Sequence, residues 1–303
     1  MKILYLTNTD KNSQGDFQEV SILHGLRTIL GPNVIDYPRK KIMYGDFSES
    51  PKKDLHGIGF TLYNQPIYDL TKEERDFDLD DIDFVLYGVT EAYGMTDRED
   101  INARCNNVWY LDGHDHMEIL KTPCFKRECK TKGPEIHPTG FGIPEDRIRP
   151  LDFKNKKQLF QKTAPMYSLF GDMLDIGPAA RQFYSFSNEE EYYDDMSQSW
   201  FGLTCMKGGW DSLRHYEILA AGACLLFRDY HKKPVSCAPQ NLPTYSYRNK
   251  KELDSIINNL LPDGKPSIQY YNLVLAQRKW LLQNGTTVAR AIDIVKTMIQ
   301  RKK

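Results

Sequence analysis

The chain has 303 residues, with 40 Lys plus Arg against 41 Asp plus Glu and a formal net charge of −1, so nothing global draws it to nucleic acid or anionic lipid. A 40% hydrophobic, 27% charged composition suits a soluble globular protein long enough for two domains. No run reaches the roughly twenty apolar residues of a membrane span, and the opening MKILYLTNTD turns polar too early for a secretory leader, so a cytoplasmic location is expected.

Residues 2–6 predict a buried strand, and Gly15 and Asp16 fall in the loop after it, placed for phosphate or acceptor contacts. No G-x-G-x-x-G fingerprint occupies that loop. Residues 17–30 carry apolar positions at helical spacing and stop at Gly31-Pro32, after which residues 34–37 form a second strand. Strand, helix and strand in that order open an α/β domain with a parallel sheet. Residues 39–80 read as an irregular insertion with one short strand or hairpin near residues 60–63, and residues 82–89 and 108–111 as two further strands.

The strand at 108–111 runs into Asp112-Gly113-His114-Asp115-His116, four ionisable groups at a carboxyl strand end, where open α/β sheets collect ligands. Asp112, His114 and Asp115 are candidates for the base that takes a proton from a hydroxyl. A polar loop with Asp112 as a helix cap is the second reading. A metal site is the third, without a distant HxxxH pair to complete it. The six cysteines are scattered, which suits reduced thiols, and Cys124 and Cys129 form too isolated a pair to suggest a metal. Lys121, Lys126, Arg127, Lys130 and Lys132 make a local basic cluster, of which Lys126 and Arg127 are candidates for neutralising a phosphate.

Proline and glycine punctuate residues 137–144 and charge follows to residue 157, which places a domain boundary near 145–160. The second half predicts a strand at 166–170 closed by Gly171-Asp172, a helix near 179–184, and an acidic helix over 189–196. Strands at 199–205, 223–227 and 243–247 follow, with helices at 213–221, 250–260, 267–282 and 288–300.

The most informative run is residues 199–227. After the strand, Gly208 and Gly209 allow a sharp turn and close approach to a ligand, and Asp211 or Ser212 can cap the next helix. Unpaired amides at that helix start favour a phosphate. Arg214 sits three residues before Glu217 on one helical face. A carboxylate one turn inside the helix suits a ribose diol, whereas an exposed Arg–Glu pair is the bland alternative.

Glu217-Ile218-Leu219-Ala220-Ala221-Gly222 before an apolar strand resembles the nucleotide-sugar segment of glycosyltransferases with two Rossmann-like domains (the GT-B fold), in the group 1 and spore-coat-type branch. Cys124-Phe125-Lys126-Arg127-Glu128 followed by His137 to Pro144 resembles the same relatives. The resemblance implies an α/β fold of two Rossmann-like domains facing a cleft. It gives an acceptor domain over 1–150, a donor domain over 151–285, and a C-terminal helix at 286–303 crossing back to the first domain. It implies that Glu217 holds the donor ribose, and that Gly171, Lys207, Gly208, Gly209, Trp210, Asp211, Ser212 and Arg214 surround the nucleotide diphosphate. Many family members carry an earlier glutamate where this chain has Gly209, with Asp211 or Asp172 as the acids nearest to replacing it. The implied activity is metal-independent transfer of a sugar from a nucleotide-diphosphate donor such as a UDP-sugar, with retention, to a hydroxyl of a glycan, small molecule or modified nucleic acid. No cofactor and no metal are expected. The rivals are a phage-type DNA-base glycosyltransferase using the basic cluster, a metal-dependent hydrolase built on the Asp112–His116 loop, and a non-catalytic nucleotide-binding protein.

Overall fold

The computed structural model describes residues 1–7, 16–47, 52–88, 98–130, 133–162 and 186–302. Gly15, Lys132, Gly171, Asp172 and the elements expected at 166–170 and 179–184 lie outside the described residues. The chain divides into two compact units, one of Met1–Glu145, Ser236–Ala238 and Gly285–Lys303, the other of Asp146–Val235 and Pro239–Asn284.

The first unit is built on a parallel sheet of β1 (Ile3–Leu6), β2 (Val34–Tyr37), β3 (Phe84–Tyr87), β4 (Val108–Asp112), β5 (Cys124–Lys126) and β6 (Ile136–Pro138), in the order β2-β1-β3-β4-β5-β6. Ile3 lies opposite both Val34 and Phe84. Parallel strands are covered on both faces, so they read as unbroken apolar runs, and Ile-Leu-Tyr-Leu of β1 is buried at every residue. The strand order reverses between β1 and β3, which makes their carboxyl ends the topological switch point of this sheet.

Helix α1 (Phe17–Leu30) starts beside that point, with Asp16 Oδ1 accepting a 2.7 Å bond from the Glu19 amide. Its other neighbour is the C-terminal helix Thr287–Lys302, whose Ala291, Ile294 and Met298 are buried at spacings of three and four. Gly25 permits this approach, because a β-carbon there would stand 2.0 Å from the Thr287 carbonyl oxygen. A short helix, α2 (Glu99–Asn102), precedes β4.

The insertion after β2 departs from expectation. Residues 60–63 are buried bends, not a strand, because left-handed backbone at Thr61 (φ 71°) and Asn64 (φ 53°) interrupts any extended run. The segment is anchored by buried ions. Asp36 of β2 lies 3.1 Å from Arg75 and 3.7 Å from Arg27, and Lys40 pairs with Glu19.

The second unit holds a parallel sheet of β7 (Gln158–Phe160), β8 (Ser199–Cys205), β9 (Cys224–Arg228) and β10 (Tyr245–Tyr247), in the order β10-β9-β8-β7. Around it lie α3 (Glu189–Ser197), α4 (Leu213–Ala221), α5 (Lys250–Leu260) and α6 (Ile268–Trp280). Phe201, Leu203, Cys224, Leu226, Leu253, Tyr270 and Val274 form its core. Asn188, Asn249 and Ser267 cap α3, α5 and α6 through their side chains. Gly202 brings α4 against β8, since a β-carbon would fall 2.2 Å from Ile218 Cγ2. Gly222 (φ 81°) ends α4 in the left-handed region and turns the chain into β9. Neither β6 nor β7 was expected from the sequence; each is only three residues long.

Candidate functional site

In the second unit the carboxyl end of β8 leads through residues 206–212 into α4. The Lys207 amide donates to the Gly209 carbonyl at 3.0 Å and folds the bend back on itself. His215, fully buried, is held at 2.8 Å by Thr204 Oγ1 and at 3.0 Å by the Trp210 carbonyl. Tyr216 donates to Asp211 Oδ1 at 2.8 Å, and the Trp210 ring is buried toward Phe227. Trp210 and Asp211, expected beside the donor, therefore have their side chains turned into the bend. Ser212 occupies the N-cap position with extended backbone and makes no side-chain cap bond, unlike the sequence expectation.

Glu217 stands one turn inside α4 and is only 6% exposed. Its Oε2 accepts from the Tyr192 hydroxyl of α3 and lies 3.2 Å from Arg214 Nε. The Arg214 guanidinium is stacked 5.1 Å from the Tyr192 ring centre. An acid of this kind is buried only with charged or polar partners, and here it has both. Burial pushes Lys207 down to about 8, and the like charge of Arg214 adds to the shift. Lys207, Arg214, Glu217 and Tyr192 thus form one polar cluster at the start of α4, with Gly208 exposed at the bend.

In the first unit the parallel register sets Asp112 beside Lys126. Asp112 Oδ1 accepts from Lys126 Nζ at 2.8 Å and from His114 Nδ1 at 3.0 Å, and both Asp112 and Lys126 are fully buried. Burial pushes the His114 imidazole below its ordinary value, while the Asp112 charge pulls the other way. His114 and His116 stack with ring centres 4.6 Å apart. Asp115 is exposed and pairs with Arg127, which also donates to the Gly113 carbonyl at 2.7 Å and stacks 4.8 Å from Phe141.

Lys126 and Arg127, expected to offer charge to a phosphate, are instead buried and hold the Asp112–Asp115 loop in place. The basic cluster is accordingly not a continuous surface strip. Among the described residues no three of His, Cys, Asp and Glu are grouped to hold a metal ion, so the loop supplies no ligand set for a hydrolase. Asp16 is committed to capping α1. Among the described residues no helix is long and apolar enough to cross a membrane.

No family model matches the chain, and no curated protein sequence does. Among solved structures it is similar to AviGT4, a glycosyltransferase involved in avilamycin A biosynthesis, at 13% identity and a TM-score of 0.52, over 99% of this chain and 98% of that one. The chain shares the fold of that glycosyltransferase. That likeness reaches the fold alone and does not single out the spore-coat-type branch.

Two residues near these sites escaped the sequence reading. Tyr192 is one of two aromatics in an otherwise acidic helix, a signal of its buried face. Gln18 shares the α1 stripe of Ile22 and Leu26 and is buried with them, a polar residue where the period calls for an apolar one.

Proposed function

We propose that the chain transfers a sugar from a nucleotide-diphosphate donor to an acceptor hydroxyl. The observation that carries the reading is the buried Glu217 carboxylate, one turn inside a helix that opens from a glycine bend at a strand's carboxyl end. A ribose diol donates two hydrogen bonds to such an acid. Amides at Gly208, Gly209 and the first turn of α4, with Lys207 and Arg214, face the diphosphate and stabilise it as it departs, so no resident metal is invoked. The shared fold supports this reading, as does the joining of Lys207, Arg214 and Glu217 in one cluster.

In the first unit, His114 takes the proton of the acceptor hydroxyl. Asp112 fixes the ring by accepting from Nδ1–H, which leaves Nε2 as the basic nitrogen. Asp112 is therefore a positioning residue, and His114 the base.

Isothermal titration with UDP, GDP, ADP, CDP and dTDP tests the donor half directly. Binding of one of them, weakened in Glu217→Gln, is expected. A chain that binds none of the five does not hold a donor as described.

A further inference from the structure

The carboxyl end of β4 and the start of α1 bring together two buried polar groups that have no partner among the described residues. Gln18 is 1% exposed, and neither its amide oxygen nor its amide nitrogen has a hydrogen-bond partner among them. Asp112 is fully buried; its Oδ1 holds Lys126 and His114, whereas its Oδ2 has no partner. The two flank Gly113. Gln18 Oε1 lies 2.7 Å from the place a Gly113 β-carbon would take, so the carboxamide is laid directly over that glycine. Buried amides and carboxylates are almost always satisfied, and two orphaned groups beside a helix N-terminus mark a place where polar atoms of another molecule belong.

The chemistry of that molecule follows from the charges nearby. Asp112 is balanced by Lys126, and Glu19, next to Gln18, by Lys40. With both of these acids paired, neither leaves an uncompensated charge beside Gln18 to recruit a cation, and the acceptor-only Asp112 Oδ2 repels an anion. It asks for groups that donate to Asp112 Oδ2 and Gln18 Oε1 and accept from Gln18 Nε2, which neutral hydroxyls do. Phe17, adjacent to Gln18, meets His56 at 5.7 Å and Phe141 at 6.2 Å between ring centres, both edge-on, and supplies aromatic surface for the C–H face of a sugar ring.

We infer that Gln18 is a specificity residue for a neutral, hydroxyl-bearing carbohydrate bound against its carboxamide at the carboxyl end of β4. Its role as the acceptor in transfer rests on the function proposed above; its binding does not.

Saturation-transfer NMR tests this on the full chain with methyl glycosides of glucose, galactose, mannose and N-acetylglucosamine, and with glucuronic acid as the charged counterpart. At least one neutral glycoside is expected to bind, and glucuronic acid more weakly than methyl glucoside. Gln18→Met, which keeps the shape and removes the amide, is expected to weaken that binding about tenfold. Its melting temperature should match or exceed that of the parent, because an unsatisfied buried amide has been removed. Gly113→Ala provides a second variant that retains the amide but displaces it from the glycine, and the same loss is expected.

Failure of all four neutral glycosides to bind overturns the inference. So does binding unchanged in Gln18→Met, or a Gln18→Met that melts lower while binding normally, the mark of an amide with a structural role only. Nucleoside diphosphate binding separates this result from the fate of the proposed function. A chain that binds glycosides through Gln18 but no diphosphate keeps the carbohydrate site and loses the transferase, and the converse pattern loses only the site.

Discussion

Asp112 and Lys126 are register partners on adjacent parallel strands, and their side chains meet at 2.8 Å with neither exposed to solvent. A buried pair of this kind is costly to halve, since removing one charge strands the other in a low-dielectric interior. Lys126→Met is therefore expected to destabilise the fold by about 3–5 kcal/mol. The Asp112→Asn/Lys126→Met double variant should recover part of that loss because no charge is left alone. Urea denaturation of the three proteins decides the point; a Lys126→Met within about 1 kcal/mol of the parent contradicts it.

The same carboxylate orients His114, so the two residues separate in kinetics. His114→Gln should lower kcat by about 10²–10⁴-fold with little change in donor KM, the range for removing a general base. Burial keeps the imidazole neutral around pH 7. Its contribution to rate should therefore rise through a pKa below the ordinary histidine value and stay level from pH 7 to 8. Single-turnover rates across pH 5–8 would show this, and a profile still climbing above pH 7 would point to a different base.

The sheets were legible in the sequence because parallel strands and amphipathic helices write their burial into the residue pattern. Helix α1 and strand β8 coincide with the residues their patterns marked out. Partnerships set by register, by contrast, had no local signal. Lys126 and Arg127 read as charges offered to a phosphate, yet pairing with Asp112 of the neighbouring strand and Asp115 of the loop after it turns both inward. Residues 60–63 failed for another reason: Phe-Thr-Leu-Tyr has strand composition, but left-handed backbone at Thr61 and Asn64 bends the chain. In the Glu217 cluster the helix and its acid were readable, whereas Tyr192, 25 residues away in sequence, was not.

Glu217 and Tyr192 give a prediction that isolates the charge from the fold. Glu217→Gln preserves the size of the side chain and its bond from the Tyr192 hydroxyl while removing the carboxylate. Nucleoside diphosphate affinity should fall by about 1–3 kcal/mol, the worth of hydrogen bonds to a charged group. Tyr192→Phe leaves the acid charged and should cost less than Glu217→Gln. Calorimetry that finds full affinity in Glu217→Gln would remove this residue from the donor site.

The close approach of α1 to the C-terminal helix rests on a missing side chain. In Gly25→Ala the new methyl would stand 2.0 Å from a backbone oxygen of Thr287, which no rotamer change relieves. The variant is expected to lose at least about 1–3 kcal/mol, the usual penalty of overpacking. Faster amide exchange across residues 287–298 should accompany the loss. Uniform exchange with unchanged stability would mean the helices tolerate a wider spacing.

Lys207 makes donor affinity depend on pH in a direction fixed by its charge. In the free protein its pKa is pushed down to about 8 by burial and by Arg214. A bound diphosphate favours the charged ammonium and raises that pKa, so binding takes up a proton wherever the free lysine is neutral. Below pH 8 the lysine is charged in both states and affinity is level on its account. Above pH 8, affinity should decline by up to about tenfold per pH unit until the pKa of the complex is passed. Lys207→Met should bind more weakly at pH 7 and lose this dependence between pH 8 and 9. Calorimetry in buffers of different ionisation enthalpy would reveal the proton uptake at pH 8.5 directly. Equal slopes in parent and variant would show that the lysine does not face the diphosphate.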